Sequence, residues 1–302
     1  MNNKFKVAGL AMAASLALAA CGDKDKDETA KDKNEGTDAN TTTEESKDIN
    51  LAYVEWDTEI ASTNVVGAVL EDLGYNVTLT PLDNAIMWEA VSNGEADAMV
   101  AAWLPHTHAA QYDKYKDDLL ELGPNLEGAK IGFVVPSYMK VDSIEDLTDE
   151  AGKTITGIEP GAGVVAASEN ALEEYDNLKD WSVQTSSSGA MTVALEQAIE
   201  GDNDIIVTGW SPHWKFAKYD LKYLEDPKEV FGGEEKINTF TRKDLDKDMP
   251  NAYAVLDAFE WTSDDLESVM LEVTDGKDPK EAARDWIEAN KDKVDAWTKD
   301  VK

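Results

Sequence analysis

The sequence predicts an α/β protein built as two similar lobes that face one another across a shared cleft. Three observations carry this. Segments with strand character alternate with segments of helical spacing, the pattern of βαβ units around a parallel or mixed sheet. The pattern then recurs: Gly94–His106 (GEADAMVAAWLPH) aligns without a gap on Gly201–His213 (GDNDIIVTGWSPH), an offset of 107 residues at which Gly, Asp, Val, Trp, Pro and His coincide. Tyr112 and Tyr219 match at the same offset. Finally, 42% of the 302 residues are hydrophobic, enough for a core despite a net charge of −34.

The elements follow in chain order. Residues 1–20 read as a signal peptide, with Lys4 and Lys6 ahead of an apolar stretch and then small residues. That stretch is too short to span a bilayer as a helix. Cys21, the only cysteine, directly follows Leu18-Ala19-Ala20. This resembles the lipobox of bacterial lipoproteins, which implies acylation of Cys21 as the new N-terminus. Residues 21–48 are acidic and nearly free of large apolar side chains, so they read as a solvated tether. The body begins at Ile49. Leu51–Trp56 is an expected strand, 59–73 a helix, Tyr75–Leu79 a strand, 84–93 a helix and Ala98–Trp103 a strand. In the second half, Thr154–Ile158, Trp181–Gln184 and Asp204–Trp210 are expected strands, with helices over 163–175 and 189–200. Crossings near Met139–Ser143 and Ile237–Arg242 divide the body into lobe A (49–140 plus 240–302) and lobe B (141–239). The last 60 residues read as helical. Asp278 is an N-cap with Pro279 in the first turn and Glu281 at the third helical position. Ala283, Trp286, Asn290, Val294 and Trp297 then share about one face.

Charge and composition narrow the function. With 28 Lys+Arg against 62 Asp+Glu, the surface repels phosphate backbones, which disfavours nucleic acid as a partner. A single Cys excludes an internal disulfide. The G-x-S-x-G, Walker A and H-E-x-x-H motifs are absent, so nothing supports an enzyme. His106, His108 and His213 offer imidazoles for a metal, but the spacing is unspecific, and no metal or cofactor is expected.

The nine Trp are more informative. Trp56, Trp103 and Trp210 fall at the carboxyl ends of expected strands, where the loops of an open α/β sheet bind ligands. Three indoles there form an electron-rich cage for a poorly hydrated cation such as a quaternary ammonium. Trp181, Trp261, Trp286 and Trp297 read as core, while Trp88 and Trp214 stay open. A zwitterionic ligand also needs its anion held. Both Arg (Arg242 and Arg284) lie away from the loops, so neutral donors are the alternative: the turn at Glu159–Val164, which opens a helix at Gly163, is either an anion site or a plain strand-to-helix turn, and His108 offers a side-chain N–H.

Four segments carry a family resemblance: LAYVEWD (51–57), AWLPHTH (102–108), GIEPGAGV (157–164) and TGWSPHW (208–214). Together they resemble the substrate-binding lipoproteins of glycine betaine/proline betaine ABC importers, and the likeness covers residues 49–302. It implies a two-lobed type II periplasmic-binding-protein-like fold with the ligand in the cleft between lobes. It implies that Trp56, Trp103 and Trp210 hold the quaternary ammonium, and that His108 with the backbone N–H groups of Gly163 and Val164 holds the carboxylate. It further implies a permease and an ATPase as partners, and a lipid anchor at the extracellular face of a Gram-positive-type cell membrane. Some relatives carry their lobes in swapped order, whereas here the Trp56 lobe comes first. Glu159 stands where relatives have Asp, and Val164 where they have Ile. A choline or carnitine receptor is the alternative within the class, a metal receptor the one outside it.

Overall fold

The computed structural model describes residues 45–302; the expected signal peptide, Cys21 and the tether up to residue 44 lie outside the described residues. The first strand, β1 (Asp48–Tyr53), starts three residues before the expected Leu51. It is held early because it pairs with β2 (Asn76–Pro81) along its whole length, from Asp48 opposite Asn76 to Tyr53 opposite Pro81. Glu45 just ahead accepts hydrogen bonds from the Tyr75 hydroxyl and from the backbone and side-chain N–H of Asn251 (3.0 and 2.6 Å).

Helix α1 (Asp57–Asp72) follows, with Trp56 as its extended N-cap and Asp57 and Glu59 in the first turn, where acids favour the helix dipole. The expected strand Leu51–Trp56 therefore ends at Tyr53, and Trp56 belongs to the turn into the helix. Helix α2 (Asn84–Asn93) stops at Gly94 in the left-handed region, and β3 (Ala98–Leu104) runs through the buried centre. Then come α3 (Ala109–Tyr115) and β4 (Leu119–Pro136), an 18-residue strand that the sequence reading did not assign. The second set of units is β5 (Thr154–Thr156), α4 (Gly163–Glu174), β6 (Ser182–Gln184), α5 (Ser188–Glu200) and β7 (Ile206–Ser211). A short α6 (Lys215–Lys218), β8 (Leu221–Tyr223) and β9 (Glu235–Arg242) complete it.

The strand order is β2-β1-β3-β9-β4-β7-β5-β6, with β8 beside β4. Two parallel triplets, β2-β1-β3 and β6-β5-β7, have the same internal order, so the 107-residue repeat is also a repeat of topology. Antiparallel β9 and β4 stand between them. Along β4 the partner changes: Leu119–Ala129 pair with β9, and Lys130–Val134 pair with β7. The pairing thus moves from one half to the other about ten residues before the crossing expected at Met139–Ser143. The return lies beside it, with Glu235 of β9 opposite Ala129.

The C-terminal segment is helical as α7 (Leu245–Asp248), α8 (Pro250–Ala258), α9 (Ser263–Thr274), α10 (Pro279–Ala289) and α11 (Lys291–Thr298). Asp278 caps α10 by accepting from the N–H groups of Lys280 and Glu281. The chain bends at Asn290, which leaves helical geometry and splits the expected single face into two helices. Trp286 and Trp297 still stack across that bend at 5.7 Å, and Trp261 meets Trp286 edge-on at 5.8 Å. These three are core, as is Trp181.

Candidate functional site

Each cage candidate is placed by a different element. Trp56 is fixed at the start of α1: its N–H donates to the Val54 carbonyl (2.7 Å), and its own carbonyl accepts from Glu59 and Ile60. Trp103 lies near the end of β3, opposite Ile237 of β9. Trp210 lies near the end of β7, opposite Ile131 of β4. The repeat thus delivers Trp103 and Trp210 from equivalent strand ends in the two halves, and Trp56 joins them from the first half.

All three line one pocket, together with His108, Gly163 and Val164, which encloses about 320 Å³ of non-atom space when the open solvent at its mouth is counted. The six candidates from the sequence are therefore in one place. Thr58, Thr107, Ile131, Ile158 and Ala162 complete the wall. The indoles are almost fully buried, at 7, 3 and 5% exposure for Trp56, Trp103 and Trp210. Two of the three indole N–H groups are spent on acceptors: Trp56 Nε1 donates to Glu159, and Trp103 Nε1 donates to Glu59 (3.3 Å), whereas among the described residues Trp210 Nε1 has no partner. Glu59 is itself buried, and burial pushes its pKa well above the ordinary carboxyl value, opposed only by the Trp103 indole. Trp210 has the Lys215 ammonium 4.3 Å from its ring. Lys215 is fully buried and outside the cavity wall. Burial lowers its pKa to about 7, with the Asp57 charge acting the other way.

His108 is set up as a neutral donor. It caps α3 and is fully buried, which lowers its pKa to about 3. Its Nδ1 accepts the backbone N–H of Trp103 (3.0 Å). An imidazole that is neutral and accepts at Nδ1 carries its proton at Nε2. Among the described residues that Nε2 has no hydrogen-bond partner. Its ring lies nearly parallel to Trp56, 6.0 Å away, and Trp88 meets it edge-on from behind at 6.0 Å. Trp88 is thus a support of His108 and is not part of the wall.

Gly163 and Val164 open α4, where the first N–H groups of a helix lack intrahelical acceptors. Ala162 is the N-cap and has no side-chain oxygen to serve them. Gly163 is required by contact with the other half: a Cβ there would stand 2.3 Å from the Thr107 carbonyl oxygen. The Thr107 turn is in turn braced by buried Glu235, which accepts from the N–H groups of His106 and Thr107 (2.7 Å each) and from the Thr107 hydroxyl.

The three histidines diverge. His106 is exposed, His108 borders the cavity, and His213 is buried beyond Trp210, its Nε2 3.5 Å from Asp57. Among the described residues no group of three or more His, Cys, Asp or Glu is placed to hold a metal ion. Both Arg are occupied in ion pairs outside the cavity, Arg242 with Asp97 and Asp248, Arg284 with Glu71 and Asp72. Sequence reasoning missed Asp57, Glu59, Glu235 and Lys215. The signal for Lys215 was present, since it aligns with His108 in the repeat.

Known proteins resemble this chain in sequence and fold. A glycine betaine/carnitine transport binding protein, GbuC, of Listeria monocytogenes is 52% identical over 161 residues, 53% of this chain and 54% of the relative. The match thus spans about half the length of that relative. The crystal structure of lactococcal OpuAC, closed and complexed with glycine betaine, is 59% identical with a TM-score of 0.82, covering 83% of this chain and 99% of that one. A glycine betaine/L-proline-binding protein (ProX) from Borrelia burgdorferi is 35% identical with a TM-score of 0.81, covering 83 and 97%. Residues 47–289 match the OpuAC family, and the chain belongs to this family, the substrate binding domain of the ABC-type glycine betaine transport system.

Proposed function

We propose that this chain captures glycine betaine, and proline betaine with it, for an ABC importer that supplies osmoprotectant. One observation carries the reading: the same pocket is lined by three indoles and by three N–H donors, His108 Nε2 and the backbone of Gly163 and Val164. The two sets of groups match the two ends of a small zwitterion. The ring faces suit a trimethylammonium group, which is cationic but donates no conventional hydrogen bond. Each desolvated face contributes about 0.5–2 kcal/mol. The N–H donors suit a carboxylate, and helix α4 adds the favourable end of its dipole.

The cavity lies between the halves 49–140 plus 240–302 and 141–239, so a bound ligand touches both and favours the closed form. That form is the one a permease and its ATPase would accept. Among the described residues no helix is long and apolar enough to cross a membrane. Attachment at the outer face is assigned to a lipid on Cys21 and the tether 21–48. The reading requires no cofactor, metal or turnover.

The test is a titration of the purified protein followed by tryptophan fluorescence and calorimetry, with choline and Zn²⁺ in parallel. Saturable betaine binding, weaker for choline and absent for zinc, is expected. Trp103→Ala and Trp210→Ala each weaken betaine by tenfold or more, whereas the core change Trp286→Ala leaves the affinity of the folded fraction unaltered. Equal losses for all three would remove the cage assignment, and no betaine response from folded protein would remove the function.

A further inference from the structure

Six polar side chains, Asp57, Asn84, Glu159, Ser188, His213 and Trp214, join the two halves next to the cavity without lining it, and ligand contact does not account for them. Asp57 is the first residue of α1, directly after the cage residue Trp56. Its carboxylate points across the cleft. Oδ1 accepts Trp214 Nε1 at 2.8 Å, and Oδ2 accepts the Ser188 hydroxyl at 3.1 Å. His213 Nε2 lies 3.5 Å from Oδ2. All three partners belong to the second half, two following β7 and one opening α5. The reverse arrangement is present alongside: Trp56 Nε1 of the first half donates to Glu159 of the second. Asn84 Nδ2 adds a weaker bridge to the Gly161 carbonyl (3.3 Å).

We propose that Asp57 and Glu159 are positioning residues that clasp the cleft shut, each carboxylate accepting an indole N–H from the opposite half. The inference rests on the reading that the cleft closes on a ligand, and it adds which groups set the lifetime of the closed form. In an open cleft Asp57 is solvated at a helix start and Trp214 Nε1 bonds to water. On closure the carboxylate loses water and gains donors that are already oriented. His213 abuts both Trp210 (4.7 Å) and Trp214 (5.3 Å), so the clasp is fixed against a cage wall. Burial acts to raise the Asp57 pKa, but His213, Trp214 and Ser188 together hold it below the ordinary carboxylate value, consistent with an anion that is served by its donors. Because these contacts exist only between halves, they slow opening and leave the encounter of ligand with the open cleft unaffected.

The experiment is stopped-flow fluorescence of the purified protein with glycine betaine, paired with small-angle scattering with and without saturating ligand. Asp57→Asn keeps the shape and removes the charge. Trp214→Phe keeps the ring and removes only the donor, so it stands in if the first variant fails to fold. Each is expected to raise the dissociation rate by tenfold or more while changing the association rate less than threefold. The scattering curve at saturation should shift toward the wider form. Glu159→Gln should act in the same direction. Unchanged dissociation rates and an unchanged closed population in folded variants would overturn the clasp. Should wild-type protein fail to bind betaine, the ligand reading has failed on its own. The clasp is then judged from ligand-free scattering, where a wider Asp57→Asn supports it and identical curves reject it.

Discussion

At the residue scale, the chemistry of the site turns on which nitrogen of His108 is left over. Spending Nδ1 on the Trp103 amide and keeping the ring neutral by burial make Nε2 a donor across the physiological range. A carboxylate that accepts such a bond in a dry site gains about 1.5–3 kcal/mol. His108→Ala is therefore expected to weaken glycine betaine by roughly tenfold to a hundredfold and choline, which has no carboxylate, by less than threefold. Calorimetry on both ligands checks this, and equal losses would make His108 structural. The sequence offered His106-x-His108 as metal ligands and His108 also as a neutral donor, and the family resemblance favoured the donor role. The reason is physical: the two rings part because Glu235, distant in sequence, pins the backbone of His106 and Thr107. Asp57 and Glu59 were hidden for a similar reason. In a chain with 62 acidic residues, composition does not distinguish a carboxylate that faces an indole from one that faces water.

At the scale of elements, α4 is useful because its first turn can approach the other half closely. Glycine at position 163 is demanded by the Thr107 carbonyl, since a Cβ would stand at 2.3 Å and the obstacle is backbone. Gly163→Ala is expected to lower betaine affinity at least tenfold while the melting temperature of the ligand-free protein moves by less than 2 °C, about the shift that ~0.5 kcal/mol gives in a domain of this size. Titration and calorimetric melting of the same sample separate the two effects. The strand–helix units were legible to within a few residues because each carries its own periodicity and caps. Strand β4 was not. It has Gly123, Pro124, Asn125 and Gly128 in its course and shifts register against β9 three times, so neither alternation nor a continuous apolar run announces it. Its pairing is decided by partners more than 70 residues away in sequence.

At the scale of the molecule, the buried Lys215 ammonium links stability to pH. Lys215 has a folded pKa of about 7 against an unfolded value near 10.5. Between those values the unfolded chain holds a proton that the folded one has released. Stability therefore rises with pH from about 7 to 10, by at most about 1.4 kcal/mol per unit. The contribution is present at high pH and is lost as pH falls through 7. Urea denaturation at pH 7 and pH 9 should show the rise, and Lys215→Met should flatten it. A slope that persists in the Met variant would assign the effect to other groups. The net charge of −34 adds a general repulsion that salt screens, so both measurements belong at one fixed ionic strength.

The partner exchange along β4 has a mechanical consequence. The two halves are connected through a strand that is hydrogen-bonded on both sides of the transfer point, and the returning strand lies beside it at Ala129 and Glu235. Gly128, with φ at +82°, sits next to that point and holds a conformation other residues adopt only with strain. Such a connection behaves like a leaf spring. It would bend about one axis and resist twisting and sliding, so on the proposed closure the halves would follow a narrow path between open and shut. Little orientational freedom remains to be lost when a ligand arrives, and the binding energy of a molecule as small as a betaine is then not consumed in bringing the two walls into register.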